Sequence, residues 1–232
     1  MSSPDKPKIF KPMTQKKSLQ FLLLGLLWLL FSIPLVTCGA ATSAVFYIAF
    51  KILNDDDTSN IFKLFLKGIK DNFVQGFLMS LISALTLGGA GFLIWWILYK
   101  TERSLILIAL ALLVIFIVLV LNIFTYPIIG RYENTFSNVL RNTVAISFTW
   151  GRQTFRVTVF VAAALGIAGA LFHLNLLAGL ISLLFWPSVI FYIIASFMAW
   201  IFYQVENPKK YDADGNLITE ENNTNTNEEI ES

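Results

Sequence analysis

Few residues in this chain have side chains that could perform acid–base, nucleophilic or metal chemistry, and they lie far apart. The sequence contains one histidine, His173, and one cysteine, Cys38. These counts exclude a histidine-based metal cluster, a disulfide within the chain and a Cys-rich zinc site. Asp212, Asp214 and Asn216 have the letters of a calcium loop, but the glycine stands at the wrong offset and no Glu completes the pattern. We therefore predict no metal site, no cofactor and no catalytic centre.

The composition indicates a membrane protein. Hydrophobic residues make up 56% of the 232 residues, and charged residues only 14%. A soluble domain carries roughly 25% charged residues, so too few are present here to cover a water-facing surface. The mean hydropathy is +0.67. A soluble globular protein is excluded on these grounds, and no nucleic-acid partner is expected.

Six apolar stretches predict the helices that would position any polar group. Four are long runs that carry no charge except Arg156 at one edge: 73–99, 105–129, 155–172 and 176–203. A fifth run, 19–36, contains Pro34, and the small residues 37–42 after it predict a flexible turn. The sixth, 40–53, would be roughly 21 Å long as a helix, which is short of the ~30 Å hydrocarbon core. It is either a short tilted helix or half of a hairpin that enters the membrane and returns.

The distribution of basic residues predicts the orientation. With six crossings and the N-terminus inside, fifteen of the 17 Lys and Arg residues lie in the cytoplasm, and only Lys100 and Arg103 lie outside. If residues 19–53 formed one crossing, 7 Lys and Arg residues would lie inside and 10 outside, which gives no useful bias for either orientation. We therefore predict an all-α polytopic membrane helix bundle with six transmembrane segments and both termini in the cytoplasm. On this topology Glu133 and His173 lie on opposite sides of the bilayer and cannot form one acid–base pair, so we predict no enzyme.

Charge also divides the chain into three parts. Residues 1–18 form a basic cytoplasmic segment, 19–203 the transmembrane domain, and 204–232 an acidic tail that is predicted to be disordered. The net charge of the whole chain, +2, does not reveal this division, because the net charge is +8 over residues 1–203 and −6 over the tail.

Two cytoplasmic segments, near 59–72 and 131–152, have the pattern of amphipathic interfacial helices. In the first, five apolar residues share one face beside a stripe of lysines, and in the second, polar residues recur at helical spacing. Such helices can simply lie at the membrane surface or connect spans, or they can dock a cytoplasmic partner. For docking, the candidate partner contacts are Phe62, Lys63, Lys67, Lys70, Asn138 and Arg141.

Small residues recur four apart in two of the long runs. The stripes are Ser80, Ala84 and Gly88 in one run, and Ala162, Gly166 and Ala170 in the other. Small residues at this spacing allow helix backbones to approach closely, so both helices are predicted to be central, and Gly166→Leu is predicted to impair folding or assembly. The alternative is that the small residues face lipid.

The apolar run 105–129 also contains a polar pair, Asn122 and Tyr126, one helical turn apart. This pair predicts hydrogen bonds between helices rather than a substrate site.

The chain also contains a weak internal echo. Pro34 and Pro127 each close an apolar run and are followed by Gly39 and Gly130. An amphipathic basic segment and another apolar run follow each of them. This order would fit a structural repeat of the kind found in some transporters, but proline near a helix end is common, so chance similarity is the favoured interpretation.

Three stretches together resemble the YesL-like family of small bacterial membrane proteins. They are the segment from Trp28 through Pro34 to Thr42, the Phe- and Lys-rich segment 62–73, and the segment 126–135 that reads YPIIGRYENT. The likeness covers roughly residues 15–203, without the acidic tail. The positions that the resemblance marks for testing are Pro34, Thr37, Gly39, Thr42, Pro127, Gly130, Arg131, Glu133 and Asn134.

The resemblance implies a role without assigning a reaction, because the YesL-like family is functionally uncharacterised. Its members tend to accompany carbohydrate uptake and breakdown systems. This implies a non-enzymatic accessory protein of the bacterial cytoplasmic membrane, with subunits of an ABC-type sugar importer as partners besides the lipid bilayer. A homo-oligomer remains open. The alternative function is a small stand-alone transporter or channel for a neutral solute, which the lack of intramembrane charge permits without supplying a coupling device.

Overall fold

The computed structural model describes residues 13–100 and 104–206, and over these it confirms an all-α fold with no strand. Residues 1–12, 101–103 and 207–232, which include most of the predicted acidic tail and of the basic N-terminal segment, lie outside the described residues. The eight helices are α1 (Gln15–Ser32), α2 (Leu35–Leu53), α3 (Ile61–Asp71), α4 (Phe73–Lys100), α5 (Leu105–Arg131), α6 (Phe136–Thr149), α7 (Gly151–Leu174) and α8 (Leu176–Glu206).

Five of these helices are long and apolar enough to cross a membrane: α2, α4, α5, α7 and α8. The sequence predicts six spans, and the difference lies in α1. This helix begins with Gln15, Lys16 and Lys17 and ends at Ser32, before the turn at Pro34, so its apolar part is short. Its first turn is fixed by the Thr14 hydroxyl oxygen, which accepts a hydrogen bond from the Lys17 backbone N–H.

The second predicted crossing is longer than the sequence indicated. Helix α2 starts at Leu35, directly after Pro34, and its 19 residues span roughly 28 Å. Residues 37–42, which we expected to form a flexible turn, are instead part of the first turns of this helix. Proline suits a helix start because the first backbone N–H groups have no partner inside the helix. The small residues that suggested flexibility therefore lie in a helix that other helices approach closely.

Helix α2 is the centre of the molecule. It packs against α1, α3, α4, α5 and α8. In an 18-residue stretch of α2, 61% of the residues are buried, against 17% in α4 and in α5. The other four candidate spans form two pairs of neighbouring helices, α4 with α5 and α7 with α8, and the two pairs make few contacts with each other.

The small-residue stripes do not pack inside this bundle, contrary to the sequence prediction. No atom of another helix lies within 4 Å of where a Cβ on Gly88 or Gly166 would be. Ala84, Ala162 and Ala170 are also exposed on the surface of the chain. Of the six stripe residues, only Ser80 contacts α2. Helix α2 meets α4 near the first turns of α4 and does not cover the later turns of that helix. The two helices are therefore peripheral, and α2 takes the central place.

Gly166→Leu is consequently expected to leave the fold intact, which reverses the expectation from sequence. Leucine meets open space at this position and has the higher helix propensity, so the free energy of unfolding should change by about 1 kcal/mol or less. Thermal unfolding of the purified protein in detergent measures the effect. A large drop in the midpoint would mean that this face of α7 is covered by something other than lipid.

The order of helices repeats once along the chain. Helices α2, α3 and α4 have counterparts in α5, α6 and α7: a long helix, a short amphipathic helix that packs back against it, and a second long helix after a single non-helical residue, Asn72 or Trp150. The two prolines of the sequence echo are not equivalent, because Pro34 precedes α2 whereas Pro127 lies inside α5. The repeat is thus one of helix order, and the prolines do not mark its register.

Candidate functional site

Two motif glycines mark the places where α2 contacts α4 and α5. A Cβ on Gly39 would lie 2.6 Å from the carbonyl carbon of Gly76 in α4. A Cβ on Gly130 would lie 2.6 Å from the carbonyl oxygen of Ser43 and 2.9 Å from the backbone nitrogen of Tyr47. Real Cβ atoms cannot come this close to backbone atoms, so Gly39 and Gly130 permit direct backbone contact between the helices.

The motif residues before and within the start of α2 hold the α1–α2 hairpin together. The Thr37 hydroxyl donates to the carbonyl oxygens of Phe31 and Pro34 in the turn. The Trp28 indole N–H donates to Thr42 Oγ1 at 2.9 Å, and the Thr42 hydroxyl donates in turn to the Cys38 carbonyl at 2.8 Å. Pro34, Thr37 and Thr42 are therefore structural residues of this hairpin, and their polar groups are used within it.

Arg131 lies at the centre of a second contact, which joins the ends of α5 and α8. Its Nη2 donates to both carboxylate oxygens of Glu206 at 2.9 Å, and the Tyr132 hydroxyl donates to Glu206 Oε1 at 2.7 Å. The guanidinium also lies over the Phe202 ring, 4.9 Å from its centroid, and 5.6 Å from that of Phe50 in α2. We call these five residues the Arg131 cluster, which fixes three helix ends relative to one another.

The sequence missed Glu206 as a member of this cluster. Gln204 to Glu206 fell in the predicted tail, but α8 continues through them to Glu206. The only signal was the unpaired Arg131, 75 positions away along the chain. Nothing in the local pattern connects two residues at such a separation.

The pKa of Tyr132 gives the Arg131 cluster a measurable pH dependence. Burial, followed by the hydrogen bond to Glu206, raises this pKa from 10.0 to about 12. The unfolded chain then loses its proton first, so the contribution of Tyr132 to stability is complete below pH 10.0 and declines as the pH rises towards about 12. Denaturant midpoints measured over this range should fall less in Tyr132→Phe than in the wild type. Parallel curves for the two proteins would contradict the assignment.

A polar cleft lies beside the cluster, where the α3–α4 junction faces the segment between α5 and α6. We call it the α4–α5 cleft; its volume is about 590 Å³, and it is lined by Asp71, Asn72, Gln75, Tyr132, Glu133, Asn134 and Thr135. Gln75 Nε2 donates a hydrogen bond to the Asn134 backbone carbonyl across the cleft. Asp71 and Glu133 are exposed, so the cleft offers two carboxylates to a polar or basic group of a partner.

The exposed side of α3 carries most of the predicted partner contacts. The helix starts at Asn60, whose side chain accepts from the Lys63 backbone N–H at 2.9 Å. Its apolar residues do not all share one membrane-facing surface as predicted, because Phe65 is fully buried against Phe31 while Phe62 is 52% exposed. We define the α3 outer face as the exposed residues Phe62, Lys63, Leu66, Lys67 and Lys70. On α6, Asn138 and Arg141 are exposed as well.

One pair of polar side chains in the middle of α4 and α5 forms a hydrogen bond between the helices. The Ser83 hydroxyl of α4 donates to Asn122 Oδ1 of α5 at 3.0 Å, and Asn122 Nδ2 donates to the Val118 carbonyl at 2.7 Å. The predicted hydrogen bond between helices at Asn122 is therefore present. Over residues 13–100 and 104–206, no group of three or more His, Cys, Asp or Glu side chains is close enough to hold a metal ion.

Comparison with known proteins gives one partial match. Residues 21–92 match the model of a family described as "Protein of unknown function, DUF624". This segment is about a third of the 232 residues and contains the Pro34–Thr42 stretch, α2 and α3, but not the motif at 126–135. No curated protein and no solved structure matches the chain. From α1 into α4, this membrane-like helical protein is thus similar to DUF624, an uncharacterised family.

Proposed function

We propose that this chain is a non-enzymatic accessory protein of the bacterial cytoplasmic membrane that assists an ABC-type carbohydrate importer. The observation that carries the proposal is the α3 outer face, an exposed surface with aromatic and basic residues on a firmly anchored helix. The link to carbohydrate uptake comes from the resemblance to the YesL-like family. The cytoplasmic orientation of this face rests on the six-crossing topology that the distribution of Lys and Arg favours, and it is part of the proposal.

The α3 outer face has the properties of a docking surface. Phe62 is 52% exposed and Leu66 is 41% exposed, between lysines on neighbouring turns. The opposite side of α3 is fixed to α2, because Gly68 lies against Ala44 and Phe65 packs into the core. A rigid face with an aromatic anchor favours binding, since little conformational entropy is lost on contact. The lysines suit a partner with an acidic rim.

The α4–α5 cleft continues this surface with the opposite charge. Its two carboxylates belong to Asp71, at the end of α3, and Glu133, after α5. A partner that touches both regions would meet basic and acidic groups in a fixed order. Such a pattern provides orientation and specificity more than affinity.

The stand-alone transporter receives less support. Movement of a neutral polar solute requires polar groups that are free to contact it within the bundle. The mid-helix pair Ser83 and Asn122 is instead engaged in hydrogen bonds within the chain. Two buried hydroxyl groups of α8, those of Ser188 and Ser196, lack a hydrogen-bond partner among the described residues, but they are small groups without a charge to couple transport. The accessory function is therefore the one that we propose.

Affinity purification of the tagged full-length protein from native membranes tests this function. The wild type should recover importer subunits, and Lys63→Glu with Lys67→Glu should recover several-fold less, because two favourable charges become repulsive. Lys63→Arg with Lys67→Arg is the matched control and should behave as the wild type. Absence of every transporter subunit, together with normal sugar uptake in a deletion strain, would refute the proposal.

A further inference from the structure

An apolar groove runs between α5, α6 and α7, away from the α3 outer face and the α4–α5 cleft. Its volume is about 400 Å³, within the range of about 300–1,000 Å³ that small-molecule sites occupy. The lining is aromatic and aliphatic except for two hydroxyl residues and one glycine: Phe116, Ile117, Val120, Leu121, Val144, Ser147, Phe148, Gly151, Thr154 and Phe155. Because α5 and α7 are candidate spans, the groove opens to the side where lipid would lie.

The two hydroxyl groups in the lining do not offer free donors. The Ser147 hydroxyl donates to the Thr143 carbonyl at 2.7 Å, and the Thr154 hydroxyl donates to the Trp150 carbonyl at 3.0 Å. Phe148 is 83% exposed and Phe155 is 59% exposed at the groove. The groove surface is thus apolar in practice, and it suits a hydrocarbon chain rather than a polar solute.

Positive charge lies beside this apolar surface. In α6, Arg141 shares one face of the helix with the groove residues Val144 and Phe148, which stand three and seven residues after it. In α7, Arg152 directly follows the groove residue Gly151. Both arginines are exposed, and among the described residues neither forms an ion pair. The first turn of α7 contains no acidic residue. An anion beside the groove could therefore meet the Arg141 guanidinium, one turn before the groove residue Val144, and that of Arg152, next to the groove residue Gly151.

We propose that the groove binds one anionic phospholipid, with an acyl chain along α5, α6 and α7 and the phosphate at Arg141 and Arg152. The apolar lining, contributed in part by two candidate membrane spans, accounts for the acyl chain, and the positive charge of the two arginines accounts for the headgroup. This site is separate from the α3 outer face, so it stands or falls independently of the importer proposal.

Gly151 provides a way to fill the groove without disturbing the fold. No atom lies within 4 Å of where its Cβ would be, so a side chain can start at this position without a backbone clash, and that of Gly151→Leu should occupy part of the groove. Gly166→Leu is the matched control, since Gly166 also faces open space on α7 but does not line the groove. Val144→Trp is a second variant that should fill the groove, for use if Gly151→Leu does not fold. Val144 lines the groove, and its side chain is 44% exposed.

The probe is phosphatidylglycerol in vesicles of phosphatidylcholine. The full-length protein is reconstituted in these vesicles, extracted in mild detergent, and the retained lipid is counted by native mass spectrometry. We expect the wild type and Gly166→Leu to retain phosphatidylglycerol, and Gly151→Leu to retain several-fold less. Arg141→Gln with Arg152→Gln should lower the preference for phosphatidylglycerol over phosphatidylcholine by roughly fivefold per arginine.

Two outcomes would overturn the proposal. One is that folded Gly151→Leu and Val144→Trp retain as much phosphatidylglycerol as the wild type. The other is that these variants change the mass of the assembly and leave lipid retention unchanged, which would show that a second copy of the chain covers the groove.

Discussion

Gly39→Ala is expected to lower the free energy of unfolding by about 3 kcal/mol. The added methyl carbon would lie 2.6 Å from the Gly76 carbonyl carbon and 2.9 Å from Ser80 Cβ. Backbone atoms cannot rotate away as a side chain can, so α2 and α4 would have to separate. Separation would weaken the dispersion contacts that hold helices together where no hydrophobic drive acts between them.

Gly88→Ala is the matched control for Gly39→Ala, because Gly88 lies in the same helix as Gly76 but faces open space. Alanine there should change the free energy of unfolding by about 1 kcal/mol or less, in the stabilising direction, through helix propensity alone. Equilibrium unfolding of both variants in mixed micelles measures the difference. If Gly39→Ala and Gly88→Ala proved equally stable, the close approach of α2 and α4 would be refuted.

These two glycines also show what the sequence could and could not predict about packing. Gly88 belongs to a regular small-residue stripe, whereas Gly39, Gly76 and Gly130 come from three different helices and form no local pattern. Spacing within one helix shows that a face is able to pack closely. Whether that face meets another helix depends on where the rest of the chain goes, and here α2 reaches only the first turns of α4.

The helices themselves were largely predictable. Long uncharged runs gave the four longest helices, and the 3.6-residue periodicity placed the two amphipathic helices that became α3 and α6. The start of α2 was not predictable from composition, because small residues after a proline are as typical of a turn as of a helix that is packed closely. Burial separates the two: Gly39 is buried against α4.

The candidate site was predictable only in part. The resemblance marked Arg131, Glu133 and Asn134, and these residues do lie together at the end of α5. Their partners could not be inferred, since Glu206 and Gln75 come from α8 and α4. Asn134 participates through its backbone carbonyl, a group that residue type does not reveal.

The marked positions share a physical role. Gly39 and Gly130 bring backbones together, Thr37 and Thr42 hold the α1–α2 hairpin, and Arg131 joins three helix ends. Most of the motif therefore builds a rigid base around α2. Binding is left to exposed groups beside it, on the α3 outer face and in the α4–α5 cleft. Substitutions in the base should alter stability, and substitutions on these surfaces should alter partner recovery without altering stability.

Arg131→Ala is expected to lower the free energy of unfolding by about 2 kcal/mol. The pair with Glu206 contributes about 1 kcal/mol after allowance for solvent screening, because the two side chains are 24% and 42% exposed. Stacking of the guanidinium on Phe202 and Phe50 adds about 0.5–1 kcal/mol, and the loss of the packed side-chain stem adds to this. Unfolding in denaturant, with the protein held in one detergent, measures the sum.

Arg141→Ala is the matched control for this change, because Arg141 is exposed and should contribute within about 0.5 kcal/mol. Arg131→Lys should fall between the wild type and Arg131→Ala, since an ammonium keeps the charge but lacks the planar guanidinium that stacks on the rings. A double-mutant cycle with Glu206→Gln isolates the ion pair, whose coupling should shrink at high salt. If Arg131→Ala unfolded at the same denaturant concentration as Arg141→Ala, the ends of α5 and α8 would be held by other contacts. The Arg131 cluster would then not be the contact that fixes these helix ends.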